Sequence, residues 1–393
     1  MAFGTLLTLF VACSAVLASP TAVKGFDDDT LAKVKTNLQT IATHSWEIGT
    51  ELETLTELEW PELSVFHGAI PPPAQLASSH IAADVIAKAT ASDILSIIVN
   101  NISDPTAVGP LIDGDGAVGD PASIGVAVLL TNWTRTDPSD DKFALAAQNQ
   151  LEYLLTVAPR TDDGAISHRE SEVQLWADFV YMAPPFIAYY GAIQGGANGT
   201  ALLSEAYNQC KLYRQYLRDV SGLWKHIVLG SSQDNNHWGT GNAWAAAGML
   251  RVLETIARSN EADNFRTEQE DLLDWINEIL TAAWTYQHVN GTLYNYIDQD
   301  TSFADSASTA LLGAVSFRLA TVNERGHAHI PNAYRALQVI KASVNEGGWL
   351  LNTVDPETFD TPSLPGSYSP EGQAFVLLLH AAWRDFEEFS KPK

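Results

Sequence analysis

Two aspartates stand in motif-like stretches, and one of them, in aromatic surroundings, is a candidate for proton chemistry. The first lies in His168-Arg169-Glu170-Ser171-Glu172-Val173-Gln174-Leu175-Trp176-Ala177-Asp178-Phe179-Val180-Tyr181-Met182-Ala183-Pro184-Pro185-Phe186. Trp176, Phe179 and Tyr181 flank Asp178, an environment that removes water from the carboxyl. Desolvation raises a carboxyl pKa and suits it to proton transfer near neutral pH. The competing reading is structural: Pro184 and Pro185 cannot sit inside a continuous helix, so Asp178 falls near a helix end, where aspartate commonly caps. The second aspartate opens Gly119-Asp120-Pro121-Ala122-Ser123-Ile124-Gly125. Asp before Pro is an ordinary helix start, and by spacing alone Asp120 carries no chemistry.

A further stretch is built for sugars. It runs Gly222-Leu223-Trp224-Lys225-His226, then Trp238-Gly239-Thr240-Gly241-Asn242-Ala243-Trp244. A flat indole covers the C–H face of a pyranose, and Asn or His orients hydroxyls. One tryptophan alone would more simply be core, but three within twenty-one residues beside His and Asn favour a site. Asp113 and Asp115 resemble the front of a calcium loop, a pattern that fails at Ala117 and reads as a turn. The chain shows no Gly-x-Ser-x-Gly elbow, phosphate loop or His-Glu-x-x-His. His327 and His329 lack an acidic cluster and read as loop. No metal or other cofactor is implied.

Helices must position these residues. Leu31, Val34, Leu38 and Ile41 trace one apolar helix face, and Ala374, Phe375, Leu378, Leu379, Ala382 and Phe386 trace another. Periodicity predicts further helices near 78–99, 121–134, 141–157, 201–219, 241–258, 265–287, 303–320 and 332–345, with an interrupted helix over 171–193. Tyr294–Ile297 is the best short strand. Gly-, Asp- and Pro-rich loops separate the helices and no low-complexity linker divides them. This pattern fits one closed helical array.

Charge narrows the partners. With 22 basic and 47 acidic residues the formal charge is −25. Nucleic acid and anionic membranes are disfavoured, and an acidic substrate would need local positive charge. The apolar run Phe3–Leu17, followed by small residues, reads as a signal peptide over 1–18, leaving 19–393 as a single catalytic domain. Of two cysteines, Cys13 would leave with the leader, so Cys210 has no intrachain disulfide partner. Sequons at Asn101, Asn132, Asn198 and Asn290 fit a secreted, extracellular glycoprotein. Oligomeric state is not legible.

In order and spacing these stretches resemble the unsaturated uronyl hydrolases of glycoside hydrolase families 105 and 88, especially the unsaturated rhamnogalacturonyl hydrolases. The resemblance rests on Trp176-x-Asp178-x-x-Tyr181-Met182-x-x-Pro185-Phe186, His168-Arg169, Gly222-Leu-Trp-Lys-His226 and Trp238-x-x-Gly241-Asn242-x-Trp244. Asp305-Ser-Ala-Ser-Thr309-Ala, Ser369-Pro-Glu-Gly-Gln373-Ala and Trp46-x-x-Gly49 extend it over roughly 45–385. It implies an all-α fold, an (α/α)6 barrel of six helical hairpins, with a pocket at one mouth and an oligosaccharide as substrate. It further implies that Asp178 protonates C4 of a C4=C5 double bond left by a polysaccharide lyase, then takes a proton from water attacking C5. Asp120 matches the family's second acidic residue. His168, Arg169, His226, Trp238, Thr240, Asn242, Trp244 and Trp46 would surround the substrate. Thr240 departs from the pattern, since the family usually has arginine there. Arg169 and Lys225 are then the nearest replacement cations. Two other readings stay open: an inverting hydrolase of ordinary glycosides, with carboxylates roughly 6.5–9.5 Å apart, and a non-catalytic sugar-binding barrel.

Overall fold

The computed structural model describes residues 24–68, 70–71, 108–135 and 137–391. The expected leader, the helix near 78–99 and the Asn101 sequon lie outside these residues.

The chain begins with α1 (Asp28–Ile41), whose N-cap Asp27 accepts from the Thr30 amide and whose apolar face buries Val34 and Leu38. In α2 (Ser45–Glu59) the side chain of Glu47 reaches back to the Thr43 and His44 amides at 2.7 and 2.9 Å. One 3-10 turn, Asp120–Ile124, leads into α3 (Gly125–Thr134). After α4 (Lys142–Glu152) come β1 (Gln174–Trp176), the short α5 (Phe179–Met182), α6 (Pro184–Gln194) and α7 (Gly196–Leu217). Then follow β2 (Ile227–Leu229), α8 (Gly239–Arg258), α9 (Arg266–Trp284), β3 (Leu293–Tyr294) and β4 (Ala304–Asp305). The chain closes with α10 (Ser306–Val322), α11 (Ile330–Ser343) and α12 (Pro370–Phe389).

Six of these helices form a ring: α2 touches α3, α3 touches α6, and the circuit continues through α8, α10 and α12 back to α2. Outside it, α1 packs on α12, α4 on α3, α7 on α6, α9 on α8 and α11 on α10. From α3 to α12, apart from the short α5, the described inner and outer helices alternate along the chain, as in a six-hairpin barrel. Composition explains the sorting. Every residue from Ser306 to Ala320 of α10 and from Gly239 to Ile256 of α8 is buried, whereas α1 and α11 bury one stripe. A helix covered all round needs small residues where neighbours approach. At Gly248 an added Cβ would lie 2.1 Å from the Val180 carbonyl oxygen, so α8 meets α5 there only as glycine.

The C-terminal halves of four inner helices are joined by buried charge. Arg251 of α8 pairs with Glu53 and Glu57 of α2, and Arg318 of α10 pairs with Glu57 and Asp385 of α12. At the opposite ends the helix N-termini and the loops before them are free to build a site.

One expected element is corrected. Residues 174–176, placed in the interrupted helix by periodicity, form a strand. Gln174, Leu175 and Trp176 pair antiparallel with Leu229, Val228 and Ile227, and this tertiary ladder overrides the local pattern.

Candidate active site

The β1–β2 ribbon brings two distant motifs together. Trp176 pairs with Ile227, and the next amide, Ala177 N–H, donates to the His226 carbonyl at 2.9 Å. Asp178 and His226 therefore leave the ribbon side by side, with His226 Nε2 3.5 Å from Asp178 Oδ2. On its other side, His226 Nδ1 lies 3.1 Å from Asp234 Oδ2. Burial works against charge on this imidazole, but the two carboxylates outweigh it and raise its pKa. Asp178 occupies the N-cap position of α5 without making a side-chain cap hydrogen bond, so capping does not account for it.

Asp120 arrives from the loop before α3. Val118 N–H donates to the His168 carbonyl at 2.7 Å, and His168 Nε2 stands 3.8 Å from Asp120 Oδ1. Asp120 is buried, and its pKa is pushed up to about 8, first by burial and then by the charge of Asp178. Burial holds His168 down to about 4, so its ring is neutral at physiological pH. The 58 residues between the two aspartates in sequence thus collapse into one site containing a protonated carboxyl.

Aromatic rings wall a cavity of about 330 Å³ around these groups. Trp176 stacks on His168, with centroids 4.8 Å apart, and Trp238 lies 4.4 Å from His226. Trp46 enters from the first turn of α2, stacks on His44 and donates its indole N–H to Glu371 Oε1 at 2.7 Å. Phe359 closes the wall 4.5 Å from His226. Its φ is +49°, a left-handed conformation that costs a non-glycine residue on the order of 1 kcal/mol. The Asn295 amide helps to hold it by donating to the Phe359 carbonyl at 2.9 Å. Arg169 also lines the cavity, with its guanidinium bonded to the Asp115 carbonyl at 3.1 Å.

Of the residues singled out by sequence, Asp178, Asp120, His168, Arg169, His226, Trp238 and Trp46 line this cavity. Three others require correction. Thr240, Asn242 and Trp244 are fully buried and do not line it. Trp244 packs on Tyr181 and Phe375 inside the ring. Asn242 accepts from the Trp224 amide and donates to the carbonyls of Trp224 and Trp238; it fastens the site's loops to α8. Lys225 is likewise absent from the lining. Sequence reasoning missed Glu371, Phe359, His44 and Asp234. Glu371 lies within a motif, Ser369-Pro-Glu-Gly-Gln373, that carries the family resemblance without marking this residue. Phe359 lies in an irregular loop and carries no local signal.

Paired carboxyls, imidazoles and indoles at the open end of a double ring of helices define a class of carbohydrate-active barrel. The chain belongs to Glycosyl Hydrolase Family 88, whose profile matches residues 117–358. It is 24% identical over 220 residues to the unsaturated rhamnogalacturonyl hydrolase YesR of Bacillus subtilis, an alignment covering 53% of this chain and 59% of that relative. The chain therefore matches little more than half the length of this curated relative. Among solved structures, a possible member of the GH105 family from Salmonella enterica serovar Paratyphi A superposes with a TM-score of 0.69 at 19% identity. That match covers 97% of this chain and 100% of the other. The unsaturated glucuronyl hydrolase of Bacillus sp. GL1 gives a TM-score of 0.56 at 14% identity, covering 89% and 94%. At such identities these structures establish the six-hairpin fold and nothing finer.

Proposed function

We infer that this protein removes a 4,5-unsaturated uronic acid from the non-reducing end of lyase-generated oligosaccharides of the pectin or rhamnogalacturonan type. The observation that carries the reading is the pairing of Asp178 with His226 and of Asp120 with His168 across one tryptophan-walled cavity, inside the segment matched by the family. The curated relative named as an unsaturated rhamnogalacturonyl hydrolase supports the choice of substrate.

In this reading the carboxyl pair enters the reaction with a proton in hand, because burial keeps Asp120 neutral to about pH 8. This shared proton passes from Asp120 to Asp178, which delivers it to C4 of the double bond. Water adds at C5, and its proton passes back to the Asp178 carboxylate. The C5 hemiketal then opens: C5–O–H becomes a ketone as the ring oxygen leaves C5 and takes up the proton, and the C1 hemiacetal so formed releases the aglycone as an alcohol, leaving a C1 aldehyde. Net consumption is one water, and the carboxyl regains its starting state. His226, held between Asp178 and Asp234, orients the catalytic carboxyl, while Trp176, Trp238 and Trp46 offer faces to the sugar.

Incubation with lyase-digested pectin tests this directly. The expected result is loss of the absorbance of the conjugated C=C, with release of the shortened oligosaccharide. The variant Asp178→Asn should cost about 10²–10⁴-fold in turnover with an unchanged fold. Sugar release with the double bond intact would refute the hydration mechanism.

The leader-like first 18 residues support secretion. Exposed Asn198 and Asn290 are the sequons best placed for glycans; Asn290 sits in a turn, accepting from the Thr292 amide at 3.1 Å. N-terminal sequencing of protein from the medium should find a start near Ser19, and Met1 would refute secretion through a cleaved leader.

A further inference from the structure

The cavity has more acid than its proposed chemistry uses. Asp115, Asp120, Asp178, Glu357 and Glu371 line it, against the single guanidinium of Arg169. An anionic sugar entering five ionised carboxylates would be repelled. Some of them must be neutral, and Glu371 has the geometry of a neutral acid with a task.

Glu371 sits in the first turn of α12 and is 3% exposed. Its Oε1 accepts the Trp46 indole N–H. Its Oε2 is buried and has no hydrogen-bond partner among the described residues. A full charge buried there without a donor costs several kcal/mol, whereas a proton on Oε2 leaves a neutral group. The surroundings favour the proton. Glu47 from α2 and Asp178 at the start of α5 face Glu371 with negative charge, and Asp120 before α3 adds to it once ionised. Burial first, and then these carboxylates, push its pKa well above the usual range against the bond from Trp46. His44, on the far side of Trp46, is engaged by Asp115 and Glu357. Asp305, at the start of neighbouring α10, is occupied by the amides of Ala307, Ser308 and Val354.

We propose that Glu371 is a substrate-binding, specificity-determining residue: a neutral carboxylic acid, anchored through Oε1 by Trp46, that donates its Oε2–H to an oxygen of the bound uronyl residue. This rests on the uronyl reading of the cavity. It supplies a donor in a pocket whose described lining offers one guanidinium, that of Arg169. It also makes binding pH-sensitive. Ionisation turns the donor into an anion facing an anionic ligand, so affinity falls as pH rises through the raised pKa.

The test is steady-state kinetics on lyase-digested pectin across pH 5 to 9, with wild type, Glu371→Gln and Glu371→Ala. The amide keeps an N–H donor without a titrating proton. Glu371→Gln should hold KM within about threefold of wild type at pH 6 and climb less than wild type toward pH 9, since its only remaining rise is the one Asp120 causes on ionising near pH 8. Glu371→Ala should raise KM about ten- to hundredfold, as expected for losing a hydrogen bond to a charged group, with a smaller effect on kcat. Difference infrared spectra should show a protonated carboxyl C=O band that Glu371→Gln removes. If wild-type KM is flat with pH and Glu371→Gln is as impaired as Glu371→Ala, the residue is an ionised anchor for Trp46 and the proposal is overturned. Should the alanine variant fail to fold, the glutamine variant and the wild-type profile still decide. A wild type inert toward the double bond overturns the uronyl reading and the proposed ligand with it. A wild type that consumes the double bond while Glu371→Gln misbehaves overturns the proposal alone.

Discussion

Asp120→Asn separates proton chemistry from packing in one substitution. The amide keeps the shape of the carboxyl but carries no titrating proton. In the native chain the Asp120 pKa rises from 3.8 to about 8, through burial and then the charge of Asp178. Between those values the folded protein holds a proton that the unfolded chain has lost, so this group's contribution to stability falls as pH rises. Each unit corresponds to about 1.4 kcal/mol, which puts the full cost of ionisation on the order of 5 kcal/mol. Water reaching the cavity relaxes part of it, and about 2–4 kcal/mol should develop between pH 5 and 8. At the usual unfolding entropy per residue, a chain of this length shifts its Tm by roughly 1–2 °C per kcal/mol. The Tm of Asp120→Asn should therefore gain on wild type by about 3–6 °C between pH 5 and pH 8. Thermal scans in buffers of matched ionic strength measure the gap, and parallel assays should show turnover reduced about 10²–10⁴-fold at every pH. A Tm gap independent of pH would refute a protonated Asp120. Retained turnover would remove Asp120 from the chemistry.

Asn242→Ala deletes three hydrogen bonds to the backbone of Trp224 and Trp238. At about 1 kcal/mol each, it should destabilise the fold by about 2–4 kcal/mol in denaturant titration and lower kcat/KM without contacting substrate. Arg169→Ala should raise KM for an acidic oligosaccharide about tenfold, while Lys225→Ala, which does not line the cavity, should leave kinetics unchanged; equal effects would place the anionic group elsewhere. Glu57→Ala removes the carboxylate that Arg251 and Arg318 share, leaving each a single carboxylate partner, Glu53 and Asp385. It should cost about 3–5 kcal/mol of stability and leave kcat/KM of the surviving folded enzyme near wild type.

The ring of helices was readable because its signal is local. The stripe Val34–Leu38 of α1 and the near-continuous small and apolar residues of α8 and α10 each announce how much of a helix is covered. The β1 strand was not readable. Gln174-Leu175-Trp176 is extended because Ile227-Val228-Leu229 lies beside it, and a partner fifty residues away leaves no periodicity in the three residues themselves.

The site was readable where a motif sits at a helix mouth and misleading where the same motif runs on into a helix. Trp238 is the N-cap of α8 and lines the cavity. Trp244 is six residues further, and six residues at 1.5 Å each carry it about 9 Å down the helix axis, into contact with Tyr181 and Phe375. A short motif shared with a family therefore mixes residues that meet the ligand with residues that hold the loop in place, and spacing alone does not sort them. Glu371 shows the converse. Its motif is a helix start, since Ser369 caps α12 by accepting from the Gly372 amide. Yet the start of an inner helix is where this fold places its chemistry. His44 and Trp46 flank the start of α2, Asp120 leads into α3, Asp178 occupies the N-cap position of α5 and Trp238 that of α8, and Glu371 follows the cap of α12. Helix N-termini carry partial positive charge from unpaired amides. Their convergence offsets part of the acidity of the lining, as the uronyl reading requires of a chain of net charge −25.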